Sequence, residues 1–485
     1  MENTKDSKSK KEPRFSRFFY NGVTYFGVAL ALSIFVCELF LFAMDFFKSG
    51  ESTNAYSGII TYIVLPVFLV IGLLLIPLGA IWKRNKISKG AAEGRPTRFY
   101  INPAIPSHRN ALFVFIIGTS IFLIMTGIGS YKAFHYTESV QFCGVTCHSV
   151  MKPEYTTYMH SPHARVKCVE CHIGEGADWY VRSKMSGLRQ VYHTIKGDWQ
   201  RPIPTPIENL RPAKETCERC HWPGKKYGSF EMKKTYYPVD EGYDYNKWLM
   251  TMMVHVGRNE GEDSGIHAHM YADNDIYFAA EDKRLQNITW VKSIDKEGKE
   301  TVFTMPGSKW ENEAPVAEEV HHMDCMDCHN RPSHHYYPPN TLVNQAMRSQ
   351  EIDSDLPEIK SISMQLLSGE YDTEEDAVNK IRQGMNEFYQ NKLRTDFDQY
   401  LQEINSATEA VIKIYQHNMF PEMKVRWDAY PDNIGHLSSP GCFRCHDGQH
   451  TSSQGQVISR DCNICHKIVE QGPPGNLEQN INGLE

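Results

Sequence analysis

The chain has 485 residues, 51 basic and 58 acidic, for a formal net charge of −7. That length allows two to four structural units, and that balance excludes a basic nucleic-acid binder. Hydrophobic residues make up 41 % of the chain, but residues 18–131 are dominated by apolar stretches and residues 132–485 are markedly polar.

Residues 1–17 form a tail carrying Lys5, Lys8, Lys10, Lys11, Arg14 and Arg17. Three uncharged stretches follow, Phe18–Cys37, Ser52–Trp82 and Asn110–Tyr131, of 20, 31 and 22 residues. About 20 mainly apolar residues cross a bilayer core as a helix, so residues 18–131 are expected to form a three-helix membrane anchor. Three such runs are too many for the interior of a soluble domain. The first is too long for a cleaved leader, and no small-x-small site follows it before Lys48. The loop between the second and third runs carries Lys83, Arg84, Lys86, Lys89, Arg95, Arg98 and Arg109, whereas that between the first and second has only Lys48, offset by Glu51. Basic loops stay in the cytoplasm, which places the N-terminus there. Everything after Tyr131 then lies on the far side, the periplasm of a bacterium. Glu38 sits inside the first run. An intramembrane carboxylate is a candidate functional group, here a proton acceptor, against an interfacial Glu that snorkels or pairs. Cys37, in the same run, reads as a small packing residue.

Twelve of the 13 cysteines fall in six motifs, each ending in Cys-His: Cys143-Gly-Val-Thr-Cys147-His148, Cys168-Val-Glu-Cys171-His172, Cys217-Glu-Arg-Cys220-His221, Cys325-Met-Asp-Cys328-His329, Cys442-Phe-Arg-Cys445-His446 and Cys462-Asn-Ile-Cys465-His466. The spacing has a chemical reason. Two thiols add to the two vinyl groups of a haem as thioethers, and the adjacent His is placed below the ring to ligate iron. Zinc half-sites and disulfides account for paired cysteines but not for a His after every pair. The expectation is six haem c groups per chain, attached on the periplasmic side. The six motif histidines supply half of up to twelve axial ligands. Fourteen more histidines follow Tyr131, ample for bis-His ligation, which favours electron transfer over substrate binding at iron.

The gaps between motifs are 19, 44, 103, 112 and 15 residues, which groups the first four haems apart from the last two. The fold class expected is a mainly α and irregular multihaem cytochrome c with three N-terminal transmembrane helices and a small β-containing insert. Residues 132–340 form a tetrahaem domain with the insert at about 223–320. Its candidate strands are Met250–Val256, Ile276–Ala280, Ile288–Ile294 and Thr301–Met305. Within it, "GIHAHM" offers His267 and His269 to the third haem, on one face if the segment is a strand, with Lys184 as an alternative. Residues 341–420 are helical, with an apolar spacing near 3.6 over Glu374–Leu393 and Phe397–His417. Residues 421–470 form a dihaem module, in which "GHLSSPGCFRCHDGQH" offers His436 and His450. With His417 at a helix end, at least two of these three are expected to bind iron. The Pro-, Gly- and Asn-rich tail, 471–485, is expected to be disordered.

The third apolar run leading directly into a haem motif, then "CHSVM", then "SPHARVKCVECH", resembles the NapC/NirT/NrfH family of membrane-anchored cytochromes that oxidise quinols. The resemblance covers about residues 112–340, less the insert. The full layout is similar to inner-membrane multihaem cytochromes that extend this family in metal-reducing bacteria. It implies that Met151, in His148-Ser-Val-Met151, ligates the first haem, as in the NrfH branch; the alternative is that His148 ligates and Met151 packs. A thioether ligand raises the haem potential relative to bis-His, which suits a first acceptor. The first motif departs from the pattern in having three residues between its cysteines. By the same resemblance His163 is the distal ligand of the fourth haem and His334 that of the second. Lys184 lies where the family places a lysine near its quinol pocket. The acidic residue the family uses a turn or two onward is replaced by Gln190 and Val191, and Asp178 is the substitute.

The activity implied is that of a quinol dehydrogenase of the bacterial inner membrane in anaerobic respiration. Its substrate is menaquinol and its acceptor a periplasmic cytochrome or reductase; a homo-oligomer is compatible. Two other readings stay open. One is an electron-relay subunit whose quinol site lies in a partner chain. The other is a terminal reductase of a small oxyanion, although the Lys-ended C-x-x-C-K motif of cytochrome c nitrite reductases is absent. No Rossmann glycine fingerprint follows a plausible strand.

Overall fold

The computed structural model describes residues 17–47, 64–90, 103–146, 148–174, 176–207, 211–221, 228–239, 242–257, 265–271 and 275–479. The chain divides into two compact units, Met1–Thr146 and Cys147–Glu485.

The first unit holds three long helices, α1 (Gly22–Phe47), α2 (Leu65–Gly90) and α3 (Pro106–Thr137). Each contains a span long and apolar enough to cross a membrane: Gly22–Leu41, Leu65–Ile87 and Phe115–Thr137. A helix is the natural state of such runs, because it satisfies every backbone group internally. Asn21 caps α1, its Oδ1 accepting the Thr24 N–H at 2.9 Å. α1 and α2 approach closely along small residues. A Cβ on Gly27 would lie 2.8 Å from the Gly72 carbonyl oxygen, and one on Gly72 would lie 2.8 Å from the Ala31 nitrogen. The Thr24 hydroxyl adds a bond to the Ile76 carbonyl at 3.3 Å. Ser52–Tyr62 and Ile63 of the second apolar run lie outside the described residues.

The second unit begins with α4 (His148–Met159) and α5 (Ala177–Lys196). Two antiparallel sheets follow. The first orders β1 (Ser229–Tyr236), β2 (Trp248–His255), β8 (His466–Gly472) and β9 (Glu478–Gln479); the second runs β6 (His321–His322), β3 (Asp275–Ala280), β4 (Ile288–Ile294), β5 (Glu300–Thr304) and β7 (Thr451–Ser452). Four of the strands match those expected from the sequence; β1 does not, because its sequence "SFEMKKTY" carries charge at three positions.

Both sheets borrow from the C-terminal region. Val254 of β2 pairs with His466 of β8, and Phe303 of β5 pairs with Ser452 of β7. Insert and C-terminal motifs, distant in sequence, are therefore one fabric. The tail also differs from expectation: Glu478 and Gln479 pair with Gln471 and Glu470. Gly472 at φ 149° and Gly475 at φ 85° turn the chain back there, so the Gly and Pro content marks a hairpin up to Gln479. Residues 480–485 lie outside the described residues.

The helical segment consists of α6 (Pro339–Arg348), α7 (Ile359–Leu367), α8 (Glu374–Leu393) and α9 (Leu401–Asn418). Pro339 opens α6 at a position where its missing N–H costs nothing. Thr373 caps α8 by accepting the Asp376 N–H at 3.1 Å, and three acidic residues fill the first turn. Ala377, Ile381, Met385 and Tyr389, one turn apart, are 0 % exposed and pack with Ile404, Ala407, Val411 and Tyr415 of α9. Residues 397–400, expected to begin the last helix, fall in a 3₁₀ connection, Arg394–Tyr400, instead.

Candidate functional site

The motif loops share one local structure. Cys168–His172 and Cys325–Cys328 form single α-turns, and Cys217–Arg219, Gly441–Arg444 and Cys462–Ile464 form 3₁₀ turns. The turn returns the motif His N–H to the first cysteine's carbonyl, at 2.8 Å for His221 and His329 and 3.0 Å for His446. Residues three apart on such a turn share a face, so both thiols emerge together with the His beside them. In the first motif, which has an extra residue, Cys143 lies on a π-turn, Phe142–Thr146. Cys147 lies outside the described residues, as do the side chains of His148 and Asp178. Met151 lies on α4 one turn after His148.

Opposite each of the other five motif histidines stands a second histidine. Ring centroids lie 6.2 Å apart for His172 and His334, 5.9 Å for His221 and His163, 6.2 Å for His329 and His267, 5.9 Å for His446 and His269, and 6.1 Å for His466 and His436. Two metal–nitrogen bonds of about 2 Å, plus about 1.1 Å from each nitrogen to its ring centre, put axial imidazoles roughly 6 Å apart. The residues therefore fit an iron between each pair. The Nδ1 atoms are held by backbone carbonyls: His334 donates to Glu154 at 2.9 Å, His163 to Pro332 at 3.2 Å, His267 to Val256 at 3.0 Å, His269 to Ile266 at 2.9 Å and His446 to Ser459 at 2.8 Å. Such bonds fix the tautomer and leave Nε2 as the ligating atom. Burial, with Arg331 and His172 nearby, pushes His334 down to about 4, and burial lowers His269. Both stay neutral, as iron ligation requires.

The pairing differs in part from expectation. His334 faces the second motif, as the resemblance implies, but His163 faces the third and not the fourth. His267 and His269 face the fourth and fifth motifs, not the third. They are not on a strand: β2 ends at His255, and Gly265 at φ 98° turns the chain into a short helical segment from Ala268. Of the three C-terminal candidates only His436 faces a motif His. His450 is fully buried, with Nδ1 on Asp447 Oδ1 at 3.0 Å and Nε2 on the Ile288 carbonyl at 3.1 Å, so both nitrogens serve the fold. The His417 ring lies 3.9 Å from that of His160, too close to sandwich an iron.

The motifs are also neighbours in series. Cys171 and Cys325 both lie near Cys217, and Cys328 and Cys465 both lie near Cys442. A residue inside a motif makes one of these joints. Buried Arg444 donates to the Asp327 carbonyl at 2.6 Å, the Leu285 carbonyl at 2.9 Å and the Gly441 carbonyl at 3.0 Å. No sequence signal marks it, because the residues between motif cysteines are not fixed by haem attachment.

Lys184, Asp178 and Gln190 all lie on α5. Six residues advance a helix by about 600°, leaving neighbours in this series roughly 120° apart. The three therefore occupy different faces. Lys184 borders an exposed apolar stripe, Val181, Met185, Leu188, Tyr192 and Ile195, of which Leu188 is 64 % and Ile195 83 % exposed. Glu38 lies on α1, where its Oε1 is buried without a hydrogen-bond partner among the described residues.

Comparison with known proteins agrees with this chemistry. The model of the NapC/NirT cytochrome c family, N-terminal region, matches residues 105–203. The chain is 36 % identical over 454 residues to the cytochrome c-type protein ImcH of Geobacter sulfurreducens, covering 94 % of this chain and 89 % of that protein. It is 30 % identical over 115 residues to the cytochrome c-type protein NrfH of Wolinella succinogenes, 23 % of this chain and 63 % of that protein. With the cytochrome c-type protein TorY of Escherichia coli O157:H7 it shares 31 % identity over 87 residues, 17 % of this chain and 22 % of that protein. No solved structure matches the chain.

Proposed function

The chain belongs to the NapC/NirT family of membrane-anchored cytochromes c, and from that premise we propose that it is a menaquinol dehydrogenase carrying six haems. The observation that carries this reading is the place of the first motif. α3 ends at Thr137 and the π-turn bearing Cys143 starts at Phe142, so the first attachment site sits at the mouth of a membrane span, within reach of a lipid-soluble donor. Haem, once attached, supplies one-electron redox chemistry. Each of the five facing pairs would hold an iron between two imidazoles, which would disfavour substrate binding there and argues against a terminal oxyanion reductase.

The protein's own residues position the quinol and take its protons. Oxidation of a quinol releases two electrons and two protons. Lys184, a cation bordering an apolar stripe, suits a quinol oxygen, and its ammonium would stabilise the developing phenolate. Met151, one turn after His148, would be the iron ligand at the first site, with His148 the alternative. Glu38 and Asp178 are the carboxylates proposed to receive protons; Gln190, with no titratable group, can only orient. The basic loops support a haem-bearing unit on the periplasmic side of the inner membrane, with a periplasmic cytochrome or reductase as its acceptor. A relay subunit with its quinol site in a partner chain is the second reading, favoured by the dispersal of Lys184, Asp178 and Gln190 around α5.

The test is anaerobic mixing of the oxidised holoprotein with a reduced menaquinol analogue, with and without a quinol-site inhibitor. Fast, inhibitor-sensitive reduction is expected, slowed at least tenfold by Lys184→Ala. Reduction by dithionite but not by quinol would assign the quinol site to a partner.

A further inference from the structure

The segment Gly265–Tyr271 belongs to the insert and carries no attachment motif, yet two of its residues face two different motifs. His267 faces His329 of the fourth motif and His269 faces His446 of the fifth, with only Ala268 between them. We propose that the turn Gly265–His269 is a two-iron clamp: His267 is the distal ligand at the fourth site and His269 at the fifth, so that one backbone turn sets the axial ligation of both.

Three independent features support the clamp. The turn is anchored rather than loose. Ile266 N–H donates to the His255 carbonyl at 2.8 Å and His267 N–H to the Val256 carbonyl at 3.1 Å, continuing from the end of β2. Gly265 is required there, at φ 98°, and a Cβ on it would lie 2.9 Å from the Gly257 carbonyl oxygen and 3.0 Å from that of His255. Both rings are oriented by Nδ1 bonds to backbone carbonyls, so rotating the backbone rotates both rings. The two motifs are themselves joined, through Arg444 to the Asp327 carbonyl and through the proximity of Cys328 and Cys445. A ligand pair separated by one residue can reach two irons only if the two sites adjoin, and these do. The insert thus has a role that the gap lengths conceal, since it supplies the ligands at the joint between the first four motifs and the last two.

The two sites differ in a way that spectroscopy reads. The planes of His267 and His329 are 9° apart, nearly parallel, and those of His269 and His446 are 87° apart, nearly perpendicular. Near-parallel axial imidazoles on a low-spin ferric haem give a rhombic electron paramagnetic resonance signal. Near-perpendicular ones give a highly anisotropic signal with a larger maximum g. The inference rests on the haem reading above but not on the quinol reading, and its test uses no quinol.

The experiment is low-temperature resonance of the full-length, oxidised holoprotein, beside its haem content by pyridine haemochrome. His267→Ala is expected to convert one haem to high spin at the cost of rhombic signal, and His269→Ala one haem at the cost of highly anisotropic signal. Haem content should be unchanged, and added imidazole should restore low spin in each. His267→Met and His269→Met, which keep a strong ligand, should each add a thioether-to-iron band in the near infrared. Gly265→Ala should disturb both signals together. The proposal is overturned if either His variant leaves all haems low-spin without added ligand, if the two variants deplete the same signal, or if Gly265→Ala disturbs only one.

Discussion

The helical bundle α6–α9 and the motif-bearing segment between His148 and His221 solve the problem of stability in opposite ways. In α8 alone, four side chains one turn apart are fully buried, and burying one the size of Ile381 or Met385 contributes about 1.5–3 kcal/mol. Across residues 148–221 the buried apolar side chains among those described are only Val150, Pro153, Tyr158 and Ala213, while Cys171 and Cys220 are exposed. Cysteine is usually among the most buried residue types. The bundle is a conventional core that holds itself together. The motif-bearing segment is a set of short turns that present thiols and imidazoles, and porphyrin is the apolar surface that would unite them.

The most severe test of that difference is to withhold the haem. Chain produced without haem attachment, kept in detergent and treated briefly with trypsin, should be cut throughout 148–221 and around 436–466. A fragment containing 339–418 should survive, identified by mass. Equal protection of both regions would remove the distinction. A smaller perturbation runs the other way. Ile381→Ala opens a cavity in the bundle and should cost about 2–5 kcal/mol, read as an earlier loss of helical signal in denaturant. Because its side chain touches no motif, the visible haem spectrum of the native variant should match that of the parent.

The same contrast explains what the sequence revealed. The bundle was legible because burial writes a period of 3.6 into α8, and the spans were legible because a bilayer demands length and low charge. The attachment sites were legible because haem chemistry fixes both cysteines and the His within one turn. Distal ligands follow no such local rule. His163 faces the third motif and His267 the fourth because of how distant segments cross. His450 resembles a ligand in sequence but spends both nitrogens on Asp447 and Ile288. Gap lengths suggested a dihaem module standing apart. They could not reveal that β7 and β8 join sheets begun in the insert, because strand pairing between segments so far apart in sequence leaves no period in either partner.

The bundle also contains one misfit, which gives the mildest and most specific prediction. Lys360 is only 4 % exposed; its ammonium donates to the Tyr237 carbonyl. Burial pushes the amine down to about 8 from 10.5. Below pH 8 the folded state must keep a buried cation, and that penalty is present in full. Between pH 8 and 10.5 the unfolded chain binds more protons at this site than the folded chain, so stability contributed by this group rises with pH. Lys360→Met keeps the volume and removes the charge, while leaving the Tyr237 carbonyl without its donor. At pH 7 it should stabilise the bundle by about 1–2 kcal/mol. Its advantage over the parent should shrink steadily as pH rises from 8 to 10.5, measured as the difference between two denaturant midpoints. A constant difference across that window would mean that the amine is not held in a desolvated site. A region that stabilises itself by burial alone can lose a buried charge and gain stability. In the motif-bearing segment, where imidazoles and thiols are the structure, the equivalent exchange of a facing His should only subtract.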